Sequence, residues 1–278
     1  MEPIGDRRDL SARAEGTERP LTTLILPAYN PGPDVERTWH EVRHFLLTTP
    51  DQWEVLFVCD GCMDGTPERL KHLTQDLRDR VRVLLHAPNR GKGFAVRRGL
   101  EEAAGAWRIF TDVDLPYGLE GVLRVAEKLK AGNDVVVASR LHPDSRLSLP
   151  YALQDYVYRR RLQSSLFSML VRCVLPLGRR DTQAGLKGLS ASAIQKILPY
   201  LRCDGFAFDC ELLLTCDRHG LPIAEVPIHY HYHDRRTTTG LSTIGRMVRE
   251  LWSIRRSWKQ SQPVAQEVTV QSSRSQAA

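Results

Sequence analysis

Between residues 21 and 140 the chain alternates short apolar runs with longer helical patterns, and every run ends in a polar loop rich in turn formers. Leu21 to Leu26 gives way to Pro27-Ala28-Tyr29-Asn30-Pro31-Gly32-Pro33, and Trp53 to Cys59 to Asp60-Gly61-Cys62-Met63-Asp64-Gly65-Thr66. Val81 to Leu85 precedes Pro88-Asn89-Arg90-Gly91-Lys92-Gly93, and Trp107 to Thr111 precedes Asp112-Val113-Asp114. A fifth run, Asp134 to Ala138, leads into Ser139-Arg140. Between the first two runs Asp34 can cap a helix in which Val35, Trp39, Val42, Phe45 and Leu46 recur at helical spacing. Strands alternating with helices predict an α/β fold around a mostly parallel sheet. In such a sheet ligands bind outside the carboxyl ends of the strands, so the four polar loops are expected to converge on one crevice.

The loop chemistry narrows what that crevice holds. Asp112 and Asp114, one residue apart where an apolar strand stops, suit a hard divalent cation carrying phosphate oxygens. The glycines around Lys92 allow close backbone approach, and the helix predicted from Phe94 to Ala104 would offer free N–H groups to an anion. The Gly-Lys-Gly sequence lacks the spacing of a P-loop. A net charge of +6 and a pI of about 9.1 favour acidic partners. The basic residues are scattered rather than gathered with stacking aromatics on one face, so nucleic acid is not an expected partner.

Six cysteines in a chain of this size do not make a disulfide scaffold, and a reducing cytosol is expected. Cys59 and Cys62 have C-x-x-C spacing without a second metal-binding pair, and Cys59 lies in an apolar run, so core packing is the expected role. Residues 1–20 are charged and lack the apolar segment of a secretory leader. No stretch reaches the roughly 18 apolar residues of a spanning helix. Two amphipathic segments, 157–177 behind Arg159-Arg160-Arg161 and 241–258 with Trp252, Trp258 and several arginines, could lie on a bilayer.

Past residue 140 the motifs change. Asp181-Thr182-Gln183-Ala184-Gly185-Leu186-Lys187-Gly188 precedes a helical pattern near 191–199, Phe208-Asp209-Cys210-Glu211 opens another helix, and Pro222 to Val226 reads as a strand. Arg140, Arg235 and Arg236 are candidate clamps for a phosphate group.

Taken in order, Leu26-Pro27-Ala28-Tyr29-Asn30, Val58 to Thr66, Asn89 to Gly93 and Asp112-Val113-Asp114 resemble the family 2 inverting glycosyltransferases of GT-A fold. Ser139-Arg140, Asp181 to Lys187, Phe208 to Leu213 and Ile223 to Ile228 are similar to the branch holding dolichyl-phosphate glucosyltransferases and dolichyl-phosphate mannose synthases. The resemblance covers about 21–258 and implies a Rossmann-like, mostly parallel sheet flanked by helices, with helical acceptor-side elements toward the C-terminus. It implies one GT-A domain over 21–258, a nucleotide-binding half at 21–140 and an acceptor-side half at 141–258, between a disordered arm (1–20) and tail (259–278). Pro27, Tyr29, Asn30 and Asp60 would line the donor pocket, with Lys92 and Asp112 near the nucleotide. Asp112 and Asp114 would hold Mg²⁺ or Mn²⁺. Asp209, Gln183 and Arg140 would serve catalysis, and Lys187, Arg235 and Arg236 the acceptor. The sequence departs from the family pattern at Cys59, where an acid is usual, and Gly240-Leu241-Ser242-Thr243 lacks a usual lysine.

The implied reaction is metal-dependent, inverting transfer from UDP-glucose, UDP-GlcNAc or GDP-mannose to a polyprenyl phosphate, in the cytoplasm with peripheral contact at the inner membrane face. One alternative is transfer to a soluble hydroxyl acceptor, such as a small metabolite. Another is a sugar nucleotidyltransferase, which would want a glycine-rich basic loop after the first strand, where Pro27-Ala28-Tyr29-Asn30 stands.

Overall fold

The computed structural model describes residues 21–148, 167–179, 181–231 and 241–260. In chain order the elements are β1 (Thr22–Ala28), α1 (Asp34–Thr48), β2 (Trp53–Asp60), α2 (Thr66–Leu73), β3 (Val81–His86), α3 (Lys92–Glu102), β4 (Trp107–Phe110) and α4 (Gly118–Lys130). There follow β5 (Val135–Ser139), β6 (Arg146–Ser148), β7 (Lys187–Ser190), α5 (Ala191–Ile197), α6 (Phe208–Arg218), β8 (Ile223–Pro227), β9 (His229–His231) and α7 (Leu241–Gln260). Seven strands form one sheet in the order β3-β2-β1-β4-β7-β5-β8, and β6 pairs with β9 apart from it.

The expected mostly parallel sheet is present: β1 pairs in parallel with both β2 and β4, β2 with β3, and β5 with β8. The exception is β7, inserted antiparallel between β4 and β5, with Lys187 opposite Phe110 and Val137. β1 also runs through Pro27, past the point where its pairing with β4 ends at Ile25.

Both faces of the inner strands β1, β2 and β5 are covered, which is why these strands read as near-continuous apolar runs. Successive residues alternate between the faces. Ile25, Leu56, Val58 and Phe110 pack with α3, α5, α6 and α7, and with Val171 and Val174 of the helical stretch 167–174. Leu24, Leu26, Val55, Phe57 and Ile109 pack with α1, α2 and α4. All five apolar positions read as the inner stripe of α1 are buried. This packing fixes the carboxyl ends of β1, β2, β3 and β4 side by side, and the polar loops leave from there.

Arg235, Arg236, Arg159 to Arg161, the arm 1–20 and most of the tail lie outside the described residues.

Candidate active site

The loops after β1 and β2 are stitched together by side chains. Asn30 Oδ1 accepts from Met63 N at 2.8 Å, and Asp64 Oδ2 accepts from Gly32 N at 2.7 Å. Tyr29 stands 53% exposed beside them, with Pro27 half-buried behind it. Asn30 has φ +46° and Leu115, in the turn after β4, has φ +49°. A non-glycine residue there costs on the order of 1–3 kcal/mol and persists where the surroundings over-determine it, commonly at functional sites.

Asp60, expected to face a donor, is instead 2% exposed, and its carboxylate takes the backbone N–H groups of Arg90 (3.0 Å) and Gly91 (2.6 Å). Asn89 Nδ2 returns a hydrogen bond to Asp60 O at 2.9 Å. Asp60 therefore shapes the glycine-rich loop from beneath, and it is this loop that can present Lys92 to a ligand. From the other side Asp204 holds the same loop, accepting from Arg90 at 2.7 Å and from Arg97, while its carbonyl takes Phe94 N at 3.1 Å.

Lys92 opens α3 and lies at the centre of a chain of charges. Its Nζ is 2.8 Å from Asp112 Oδ1 and 3.6 Å from Asp209 Oδ2, and Asp209 Oδ1 is 2.6 Å from Lys187 Nζ. Burial alone would push the Lys92 pKa down, but Asp112 and Asp209 outweigh it and hold the ammonium above lysine's usual range. Burial would likewise raise Asp209, yet Lys187 and then Lys92 keep it below the usual carboxylate range. Asp209 is therefore a fixed anion between two cations. Asp112, with 40% of its side chain exposed, is the member of the chain that faces the crevice. Gly185 closes over the pair, and a Cβ there would overlap Asp112 Oδ2 and crowd Lys92 Nζ. That contact gives the Gln-Ala-Gly sequence its physical reason.

Two expected site residues are held by protein partners. Lys187, expected at the acceptor, is 1% exposed and donates to Ala184 O (2.6 Å) and Thr182 O (3.4 Å) as well as to Asp209. It enters the core because β7 starts at Lys187 in the middle of the sheet. Arg140 donates twice to Asp181, from Nε (2.9 Å) and Nη2 (2.7 Å), and its backbone N–H adds a third bond. Burial raises Asp181, but Arg140 more than offsets it, and the carboxyl is held below its usual range. Gln183, expected to serve catalysis, is half-buried and donates from Nε2 to Cys210 Sγ at 3.2 Å.

Several residues outside the expected site set also shape the site. Tyr117 accepts from Gly185 N at 3.3 Å, and burial pushes its hydroxyl pKa up. Glu211 takes Arg202 N and Cys203 N, and Glu250 of α7 takes Ala207 N at 3.1 Å. Their partners are far along the chain or are backbone groups of loops, which no local pattern marks.

Asp112 and Asp114 fit a hard divalent cation by chemistry, being carboxylate oxygens on one tight turn closed by Leu115 N donating to Asp112 O at 2.9 Å. Among the described residues no three His, Cys, Asp or Glu side chains converge on a metal position. A cation held by these two would take its remaining ligands from substrate phosphates and water, the usual habit of Mg²⁺.

The sequence model described as Glycosyl transferase family 2 matches residues 23–198. The chain is 29% identical over 228 residues to Glycosyltransferase AglD of Haloferax volcanii, covering 81% of this chain and 35% of that protein. It is 30% identical over 244 residues to the dolichyl-phosphate beta-glucosyltransferase of Drosophila melanogaster, covering 84% and 73%. With the human dolichyl-phosphate beta-glucosyltransferase the identity is 28% over 224 residues, covering 75% and 66%. The chain thus spans about a third of AglD and between 66% and 73% of these two glucosyltransferases. Among solved structures, glucosyl-3-phosphoglycerate synthase from Mycobacterium tuberculosis in complex with Mn²⁺, UDP and glucosyl-3-phosphoglycerate aligns with a TM-score of 0.58 at 20% identity, covering 84% and 78%. That likeness is one of fold, and it bears out the expected GT-A architecture.

Proposed function

The chain belongs to glycosyl transferase family 2, and from that premise we propose that it transfers a sugar, glucose from UDP-glucose as first choice, to a polyprenyl phosphate at a membrane face. The observation that carries the choice of acceptor is the state of Asp209. A hydroxyl acceptor needs a carboxylate free to take its proton. Asp209, the acid at the acceptor position, is 3% exposed and committed to Lys187 and Lys92. A phosphate acceptor is already ionised at neutral pH and needs cations instead. The names of the relatives from Drosophila melanogaster and human support the same acceptor and sugar.

In this reading the donor lies across the carboxyl ends of β1, β2 and β4. Tyr29 and Asn30 edge the nucleoside, and the loop held by Asp60 brings Lys92 to the diphosphate. Asp112 and Asp114 would hold Mg²⁺ or Mn²⁺, which supplies charge neutralisation to the departing nucleoside diphosphate. An acceptor phosphate oxygen attacks the anomeric carbon opposite the leaving group, inverting it as one C–O bond forms and the other breaks. Lys92 adds positive charge on the leaving side, and Gly185 seals the crevice over Asp112.

A surface for the membrane follows from α7. Arg246, Arg249 and Arg256 are exposed on one side of it together with Trp252, which is 57% exposed. Its one acid, Glu250, turns inward to Ala207. Arg255 donates to Cys173 O and Val174 O, which sets exposed Met169 and Arg172 of the neighbouring helical stretch beside this face. Each basic residue at an anionic surface contributes roughly 1 kcal/mol, and Trp is suited to the interface. Among the described residues no helix is long and apolar enough to cross a membrane.

The test incubates the full chain with radiolabelled UDP-glucose, Mn²⁺ and polyprenyl phosphate in detergent. Label extracting into organic solvent as an acid-labile sugar phosphate is expected. Transfer to water-soluble hydroxyl compounds alone would replace this reading with the alternative acceptor.

A further inference from the structure

The C-x-x-C pair is not merely core. Cys59, the penultimate residue of β2, is 1% exposed, but Cys62 is half-buried on the loop that edges the donor crevice. Gly61 between them has φ +72°, and a Cβ on it would overlap Asn89 N. This turn folds the chain back so that Cys62 packs against the same apolar cluster that holds Cys59. Asn30 N–H reaches Cys62 Sγ at 3.4 Å, and the Cys62 thiol itself donates to Ala28 O at 3.3 Å. Cys62 is thus the only link by sulfur between the β2 loop and the backbone of Ala28 and Asn30 among the described residues.

The two thiols differ in kind. The neighbouring Cys59 lowers the Cys62 pKa, against the burial that opposes it, and Asn30 N–H adds to the lowering. Cys59 keeps its proton more tightly, first because of Cys62 and second because it is buried. Asp64 pushes both thiols up and Asp60 pushes up Cys62, without reversing the order. Thiolates rather than thiols attack disulfides, and a low-pKa member of a C-x-x-C pair is the usual attacker. The other cysteines offer no such arrangement. Cys203, Cys210 and Cys216 are buried, with thiols pushed up by burial, and Cys173 is exposed and alone.

We propose that Cys59 and Cys62 form a redox couple that a low-molecular-weight disulfide closes, and that closure weakens nucleotide binding by removing the Cys62 hydrogen bond to Ala28 O, next to Tyr29 and Asn30. The Cys62 thiolate attacks one sulfur of the oxidant, forming a mixed disulfide and expelling a thiolate that takes up the proton Cys62 lost. The Cys59 sulfur then attacks Cys62 Sγ, forming the internal disulfide and expelling the second small thiol with the proton of Cys59. Two protein thiols are oxidised and one small disulfide is reduced to two thiols, so the exchange balances. Once closed, Cys62 has no proton left to donate to Ala28 O. The effect on nucleotide binding rests on the donor site proposed above, whereas the disulfide does not.

The experiment uses the full-length Cys173→Ala protein, exposed to glutathione disulfide, alkylated, and read by intact mass and peptide mapping. Loss of two hydrogens mapped to Cys59–Cys62, reversed by dithiothreitol, is expected. With Cys59→Ser added, the reaction should stop at a glutathione adduct on Cys62. A stable adduct on Cys62 when Cys59 is present, or full alkylation of both thiols after exposure, would overturn the couple. Calorimetry with UDP and Mn²⁺ reads the consequence: about tenfold weaker binding by the closed form, restored on reduction, is expected. Equal affinity of the two forms would overturn the regulatory role. Absence of UDP binding by the reduced protein would count against the donor-site reading, and the mapping alone would then decide the disulfide.

Discussion

Removing Lys187 should destabilise the protein far more than removing a surface lysine, and the structure sets the size of the effect. Lys187 and Asp209 are 1% and 3% exposed, with Nζ and Oδ1 2.6 Å apart. Lys187→Met keeps the stem's packing but leaves Asp209 buried with Lys92 alone, at 3.6 Å. Breaking a buried pair by removing one partner costs about 3–5 kcal/mol. Because Lys92 remains, the low end applies, about 3 kcal/mol. For a domain of this size that lowers Tm by roughly 6–12 °C. Lys187→Met/Asp209→Leu removes both charges, and Lys92 keeps Asp112 at 2.8 Å. Apolar replacement of a whole buried pair is often neutral, so the double variant should recover to within about 1 kcal/mol of the parent. Urea unfolding at pH 7, followed by circular dichroism, measures the four corners of the cycle. Losses that simply add in the double variant would refute the coupling. A double variant that is stable yet slower by orders of magnitude on polyprenyl phosphate would give Asp209 a direct catalytic role and refute the acceptor argument.

Chelation by EDTA should abolish transfer, and Asp114→Ala should lose most activity while the fold survives; calorimetry should show the same variant losing Mn²⁺ affinity in the presence of UDP. Asp60→Ala removes the acceptor of Arg90 N and Gly91 N, so about 1–3 kcal/mol of stability should go, and hydrogen exchange at those two amides should rise first. Arg246→Gln/Arg249→Gln/Arg256→Gln should cut sedimentation with anionic vesicles at low salt while leaving the melting temperature in place; undiminished binding would move the membrane face elsewhere. Acid should destabilise the fold through Asp181 and Asp209, whose folded pKa values lie below the unfolded one: their contribution is present above about pH 4 and lost as pH falls further. Glu211, raised by burial, works in the opposite direction. Urea midpoints from neutral pH to pH 3 should therefore fall less steeply in Asp181→Asn than in the parent.

The parallel strands were legible because a strand buried on both faces is mostly apolar, as Leu24 to Leu26, Val55 to Cys59 and Val135 to Ala138 are. β7 was not. Lys187-Gly188-Leu189-Ser190 is four residues long, begins with a charge, and becomes a strand only because Phe110 and Val137 stand on either side of it. The same distance in sequence explains the site. Asp112 and Lys92 were placed near the ligand by their loops, and in the structure both belong to the charge chain at the crevice. Asp60, Asp181 and Lys187 carry motif residues of the same appearance, but their partners lie 30, 41 and 22 residues away and turn them inward. A charged residue in a motif can thus belong there for either of two reasons, to meet the ligand or to hold the loop that does. Burial separates them. Asp112 keeps 40% of its side chain exposed, whereas Asp181 keeps 3% and Asp209 4%. Substitutions at the buried set should therefore show up first in unfolding and amide exchange, and in turnover only through the loops they release, whereas at Asp112 the order should be the reverse.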